Sequence, residues 1–108
     1  MQTLKGLKSF GEQLRDLRED AGLTLKNVSE QINIDTSLLA KIERNKRQPT
    51  RFLIKQVAEL FKVEEKDLHR NFLSDQIAYK ILGEEADISI LKIAEEKVKY
   101  FKIVRNGK

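Results

Sequence analysis

Apolar residues along this chain return every three or four positions, the spacing of one face of an α-helix, and nowhere alternate convincingly with period two. The pattern predicts six helices. Ser9 can cap a first, which carries Phe10, Leu14 and Leu17 on one face and stops at Ala21-Gly22, where glycine accepts a left-handed turn. Thr24 can cap a short second helix over residues 25–31, with Val28 and Ile32 pointing inward. Asn33-Ile34 reads as a tight turn, and Asp35 as the cap of a third helix running to about Arg44, with Leu39 and Ile42 on its buried side. Asn45 stands where that helix must stop. Beyond Pro49, Thr50 can cap a fourth helix whose inner face holds Leu53, Ile54, Val57, Ala58 and Phe61. Residues 64–82 make a fifth, broken by Gly83, and Asp87 can cap a sixth that reaches about Ile103. The fold class is all-α.

Two short helices joined by a turn of three or four residues and held by an apolar skeleton form a helix-turn-helix unit. That unit falls here at residues 25–44, with Val28, Ile32, Ile34, Leu39 and Ile42 as its skeleton. Ser29 is small where the two helices must approach, and Asn33 tolerates positive φ better than most residues. The first helix braces the second so that one face of the second can enter a major groove. Spacing alone does not decide this, because any small bundle can place helices so.

More specific is the run LRDLREDAGLTLKNVSEQINIDTSLLAKIERNKRQPTRFLIKQVAELFKV, which resembles the helix-turn-helix domain of Cro/C1-type (XRE-family) phage and bacterial regulators. The likeness covers about residues 10–68. Its marks are Arg18 four residues before Gly22, the Gly22-Leu23-Thr24 start, the Lys41-Ile42-Glu43-Arg44 end and Pro49 a few residues on. The resemblance implies a five-helix lambda-repressor-like bundle, here with helix five extended and a C-terminal helix added. It divides the chain into a DNA-binding domain at residues 1–70 and a C-terminal helical hairpin at 71–108. It also implies an ion pair between Arg18 and Glu43 that locks helix one to helix three. Three positions depart from the family: Leu25 stands where glutamine usually contacts phosphate, and Asn33 and Asn45 stand where glycine is usual.

By the same likeness, Thr36, Ser37 and Lys41 face base edges. The two hydroxyls discriminate weakly by themselves, and Lys41 suits guanine O6 and N7. Leu38 falls on the outward face beside Ser37; it is either a spare packing residue or a contact for a thymine methyl, and the family's exposure of this position favours the second. Lys26, Asn27, Arg44, Lys46, Arg47 and Arg51 are placed to contact phosphates.

Charge sharpens this picture. The net charge is only +4, but Lys41, Arg44, Lys46, Arg47, Arg51 and Lys55 face a single acid, Glu43, within residues 41–55. A basic band confined to one segment is a candidate polyanion footprint. Composition excludes other chemistry. With no cysteine and one histidine there is no disulfide, no thiol nucleophile and at most one of the usual zinc ligands. His69 has no identifiable catalytic partner, and no glycine motif cradles a phosphate. The expectation is a non-enzymatic, cytoplasmic protein with no metal, cofactor or membrane span. The charged N-terminal stretch is not a secretory signal.

The last third carries more apolar stripe than such a domain needs internally. Ile77 and Ile81 on helix five, and Leu91, Ala94, Val98 and Phe101 on helix six, either pack back within the chain or join two protomers. The expected function is a dimeric, sequence-specific regulator, a repressor or autoregulator of a palindromic operator in double-stranded DNA. The alternative is an antitoxin that neutralises a toxin partner through its C-terminal helices.

Overall fold

The computed structural model describes residues 7–107, and over them it contains six helices and no strand. These are α1 (Phe10–Asp20), α2 (Leu25–Gln31), α3 (Thr36–Glu43), α4 (Arg51–Phe61), α5 (Glu65–Gly83) and α6 (Ile90–Asn106). Each of the first two begins at a hydroxyl in a reciprocal capping box. Ser9 Oγ accepts from the Glu12 amide while Glu12 accepts from the Ser9 amide, and Thr24 and Asn27 exchange the same pair. Thr50 caps α4 through the Leu53 amide. Gly22 closes α1 with φ +71°, and the asparagines at 33 and 45 take the same left-handed geometry at +58° and +61°.

Three boundaries differ from the sequence pattern, and one cap lacks its hydrogen bond. Asp35 holds the N-cap position of α3, but its side chain makes no capping hydrogen bond. Asp87 does not cap α6. Its carboxylate turns to the Ser89 amide at 2.9 Å, and the helix starts at Ile90. That hydrogen bond holds the Asp87 carboxyl below its ordinary range. Between α5 and α6 the left-handed residue is Glu85, at φ +51°, while Gly83 stays in the helix. Finally, α6 continues to Asn106, three residues beyond the pattern's end at Ile103.

The chain divides between Asp75 and Gln76 into two units. The first holds the whole buried core. Phe10 and Leu14 from α1 meet Val28 and Ile32 from α2 and its end, Leu39 and Ile42 from α3, Leu53, Ile54, Val57 and Ala58 from α4, and Leu68 from α5. Leu17, Ile34, Phe61 and Phe72 complete it as half-buried neighbours, with the Phe72 ring edge-on to Phe10 at 6.2 Å. In the second unit, which comprises the end of α5, the turn and α6, no described residue is fully buried.

Where α1 begins, it lies against the end of α3. A Cβ on Gly11 would stand 2.6 Å from the carbonyl oxygens of Ile42 and Glu43 and from Asn45 Oδ1, so only glycine fits. The free amides at the start of α1 are then met by side chains from elsewhere. The Phe10 amide donates to Asp75 at 2.8 Å and the Gly11 amide to Asn45 Oδ1 at 3.2 Å, while Asn45 Nδ2 donates to Ser9 Oγ at 2.8 Å. Asn45 therefore ends one helix with its backbone and starts another with its side chain.

Gly11→Ala should lower stability by about 1–3 kcal/mol, the usual cost of forcing a methyl into a packed site. Gly83→Ala, with open space around its Cβ, should not lower it. Urea denaturation of the two variants beside the parent protein measures the contrast.

Candidate nucleic-acid interface

α2 and α3 are too short to persist alone, so their placement comes from what holds their ends. The chain leaves α2 through the left-handed Asn33, and the Ile34 amide returns to the Ser29 carbonyl at 3.0 Å. From α4, Gln56 Nε2 donates to the Ile32 carbonyl at 3.3 Å, tying the turn to the fourth helix. Ser29 is buried between the two helices, and its hydroxyl lies 2.8 Å from that of Thr36 at the start of α3.

The far end of α3 is fastened to α1. Arg18 Nε and Nη2 donate to the two carboxylate oxygens of Glu43 at 2.7 and 3.0 Å, and Nη1 donates to the Leu23 carbonyl at 3.0 Å. Both side chains are enclosed, with 12% of Arg18 and 5% of Glu43 exposed. Hydrogen bonding to Glu43 holds the guanidinium above its already high ordinary value, so Arg18 stays charged at any pH the fold meets. A two-pronged fork of this kind fixes orientation as well as distance.

These braces leave one edge of α3 outward. Thr36, Ser37 and Lys41 are exposed along it. Leu38 is not the outward residue that the pattern suggested. It is half-buried, packs against the core, and lines a shallow groove of about 290 Å³ with Ile34, Ile42 and Phe52, because the turn and the start of α4 close over one side of it. Leu25, standing where the family carries a phosphate-binding glutamine, is likewise half-buried against the core. Its side chain is spent on packing.

Around that edge lie exposed cations. Lys26 stands at the start of α2, Arg44, Lys46 and Arg47 in the segment after α3, and Arg51 at the first residue of α4. Glu43, the acid opposing this band in sequence, is consumed by Arg18, which leaves the band's charge uncompensated within its own segment. Arg51 alone of these has an acidic neighbour among the described residues, Glu65 at 3.7 Å, and both side chains are open to solvent. Such a pair is worth little and yields to a phosphate. Asn27 has its carboxamide oxygen committed to the Thr24 amide, so its NH₂ is the group it offers outward.

A family model described as a helix-turn-helix domain matches residues 11–78, more than half of the chain. The chain belongs to that family, with the Cro/C1-type arrangement. No curated protein matches it. This helix-turn-helix protein is thus a DNA-binding regulator whose second motif helix is α3. Among the described residues, no helix is long and apolar enough to cross a membrane.

Several residues that shape the site have hydrogen-bond partners that no local signal names. Ser29, Asn45, Gln56 and Asp75 act through partners 7 to 65 positions away in sequence. Their residue types allow these roles, and only the fold brings the partners together.

Arg18→Met should destabilise more than Glu43→Gln, because the first strands a carboxylate that is more deeply enclosed. The expected loss is about 3 kcal/mol, the lower end for breaking a buried pair. Thermal unfolding of both single variants and the double variant should show strong non-additivity. Simple addition of the two losses would mean that the pair does not couple in solution.

Proposed function

We propose that this protein represses transcription, its own promoter included, by occupying a palindromic operator as a homodimer. The observation that carries the reading is the single outward edge of α3, with Thr36, Ser37 and Lys41 exposed and exposed cations in the segments before and after it. Base contacts fall to those three residues, and to the part of Leu38 that remains exposed, against a thymine methyl. Phosphate contacts fall to Lys26, Asn27, Arg44, Lys46, Arg47 and Arg51, which set register and affinity but not sequence.

Dimerisation is supported by the second unit. Ile77 and Ile81 on α5 line an apolar groove of about 410 Å³ with Ile90, Leu91 and Ala94 on α6. Val98 and Phe101 continue the same face of α6, and both are more than half exposed. A second stripe on α6, comprising Ile93, Tyr100 and Val104, is also exposed. Apolar surface on this scale is a liability unless covered. A two-fold axis lets one patch cover its own copy. Two recognition helices would then face major grooves about 34 Å apart, or about 10 base pairs between half-site centres.

The extra stripe on α6 also favours a second reading, in which a toxin is the partner and DNA binding is secondary. Sedimentation separates the two. A chain that dimerises alone at micromolar concentration, and becomes monomeric in Val98→Glu and Phe101→Glu, supports the homodimer. A chain that stays monomeric throughout rejects it and leaves the foreign partner.

Arg47→Ala and Arg51→Ala should weaken binding to every DNA sequence alike, and each should flatten the dependence of log affinity on log salt by about one unit. Filter binding or fluorescence anisotropy across a salt series reads this directly. An unchanged slope in both variants removes the two arginines from the interface.

A further inference from the structure

The leading end of α3 has a fixed hydrogen-bonding polarity that its residue types do not reveal. Ser29 is 1% exposed, and its hydroxyl oxygen lies 3.0 Å from the Lys26 carbonyl oxygen and 2.8 Å from Thr36 Oγ1. A serine hydroxyl has one proton, and a carbonyl can only accept. The Ser29 proton therefore goes to Lys26, and the contact between the two hydroxyls is made by the Thr36 proton. The opposite sense would leave the enclosed contact with the Lys26 oxygen without a hydrogen, a cost the exposed Thr36 does not bear. Donation thus runs from Thr36 to Ser29 to Lys26.

Thr36 is nevertheless exposed at the DNA-facing end of the helix. With its proton directed inward, it presents only lone pairs outward. Asp35, the residue before it, is exposed and makes no side-chain cap, and an ionised carboxylate likewise only accepts. Lys41, one turn further on, only donates. Ser37, on the same edge, keeps a hydroxyl free to turn, so the fixed polarity of the edge is two acceptors at Asp35 and Thr36 and a donor at Lys41.

We propose that Thr36 reads its base solely as an acceptor, selecting the amino edge of adenine (N6) or cytosine (N4) over the keto edge of guanine or thymine at one position of each half-site. Ser29, which touches no DNA, is the positioning residue that sets this choice by holding the threonine proton. An unconstrained hydroxyl would accept or donate and so tolerate all four bases. The proposal rests on the reading of α3 as the base-contacting helix.

Selection of binding sites from random double-stranded DNA tests it with the full chain and four variants. Thr36→Val should abolish base preference at one position per half-site, and that position identifies the contact. There the parent protein should favour adenine or cytosine on one strand by roughly fivefold, the weight of a single hydrogen bond. Thr36→Ser, which keeps the proton relay, should retain the preference. Ser29→Ala should release the Thr36 proton and bring the ratio toward one, with low-salt affinity for arbitrary DNA and helical circular dichroism unchanged. Ser29→Cys, of similar volume and a weaker acceptor, serves the same purpose if alanine disturbs folding. Guanine or thymine favoured at that position overturns the proposal, as does a Ser29→Ala profile identical to the parent's. A Thr36→Val variant that changes no position also overturns it, while leaving α3 as the reading helix. Loss of sequence preference at every position in the parent protein would remove the underlying reading and this proposal with it.

Discussion

The bidentate contact between Arg18 and Glu43 is the constraint on which the reading edge depends. α3 has eight residues and α2 seven, well short of the length at which isolated helices persist in water. Their positions are set from outside, at one end by the turn and Gln56, and at the other by α1. Enclosing two charges is costly, and an apolar pair of equal volume would often be as stable. What an apolar pair lacks is direction: the guanidinium fork fixes the rotation of α3 about its own axis, and rotation decides which side chains look outward. The pair also has an electrostatic consequence. By taking up Glu43, Arg18 removes the acid that would otherwise sit among Arg44, Lys46 and Arg47.

Around this pair the first unit is closed by polar side chains at helix ends. Ser9, Asn45 and Asp75 meet the amides at the start of α1, and Gln56 meets the Ile32 carbonyl. Among the described residues, no buried side-chain nitrogen or oxygen lacks a partner. The Asn71 carboxamide, 2.7 Å from Gln13, adds a further tie between α5 and α1. The second unit is organised otherwise. Its apolar residues are more frequent than those of the first unit, yet most lie exposed on the end of α5 and along α6.

The sequence made the helices and the core legible because both depend on local chemistry. A hydroxyl before an apolar face marks a start, as at Ser9, Thr24 and Thr50. Spacing then picks out Leu14, Val28, Leu39 and Ile54 as inward. Legibility failed where two residues compete or where a residue acts against type. Asp87, the expected start of α6, loses that place to Ser89, and its carboxylate binds the serine's amide instead. Glu85 takes the left-handed turn that Gly83, two positions earlier, suggested for itself. In the candidate interface, Thr36, Ser37 and Lys41 were singled out by the family resemblance, and all three are exposed. The half-burial of Leu38 was not legible, since it depends on where the start of α4 lies. Nor was the polarity of Thr36, which a buried serine on another helix determines.

The role of Asn45 reaches into how the molecule breathes. Its backbone ends α3, its carboxamide oxygen holds the Gly11 amide, and its NH₂ holds the Ser9 hydroxyl that caps α1. One residue thus belongs to the termini of two helices, so neither terminus can fray without releasing the other. Backbone amides at the start of α1 and the end of α3 are bound into one opening unit, and they exchange with solvent together instead of one by one.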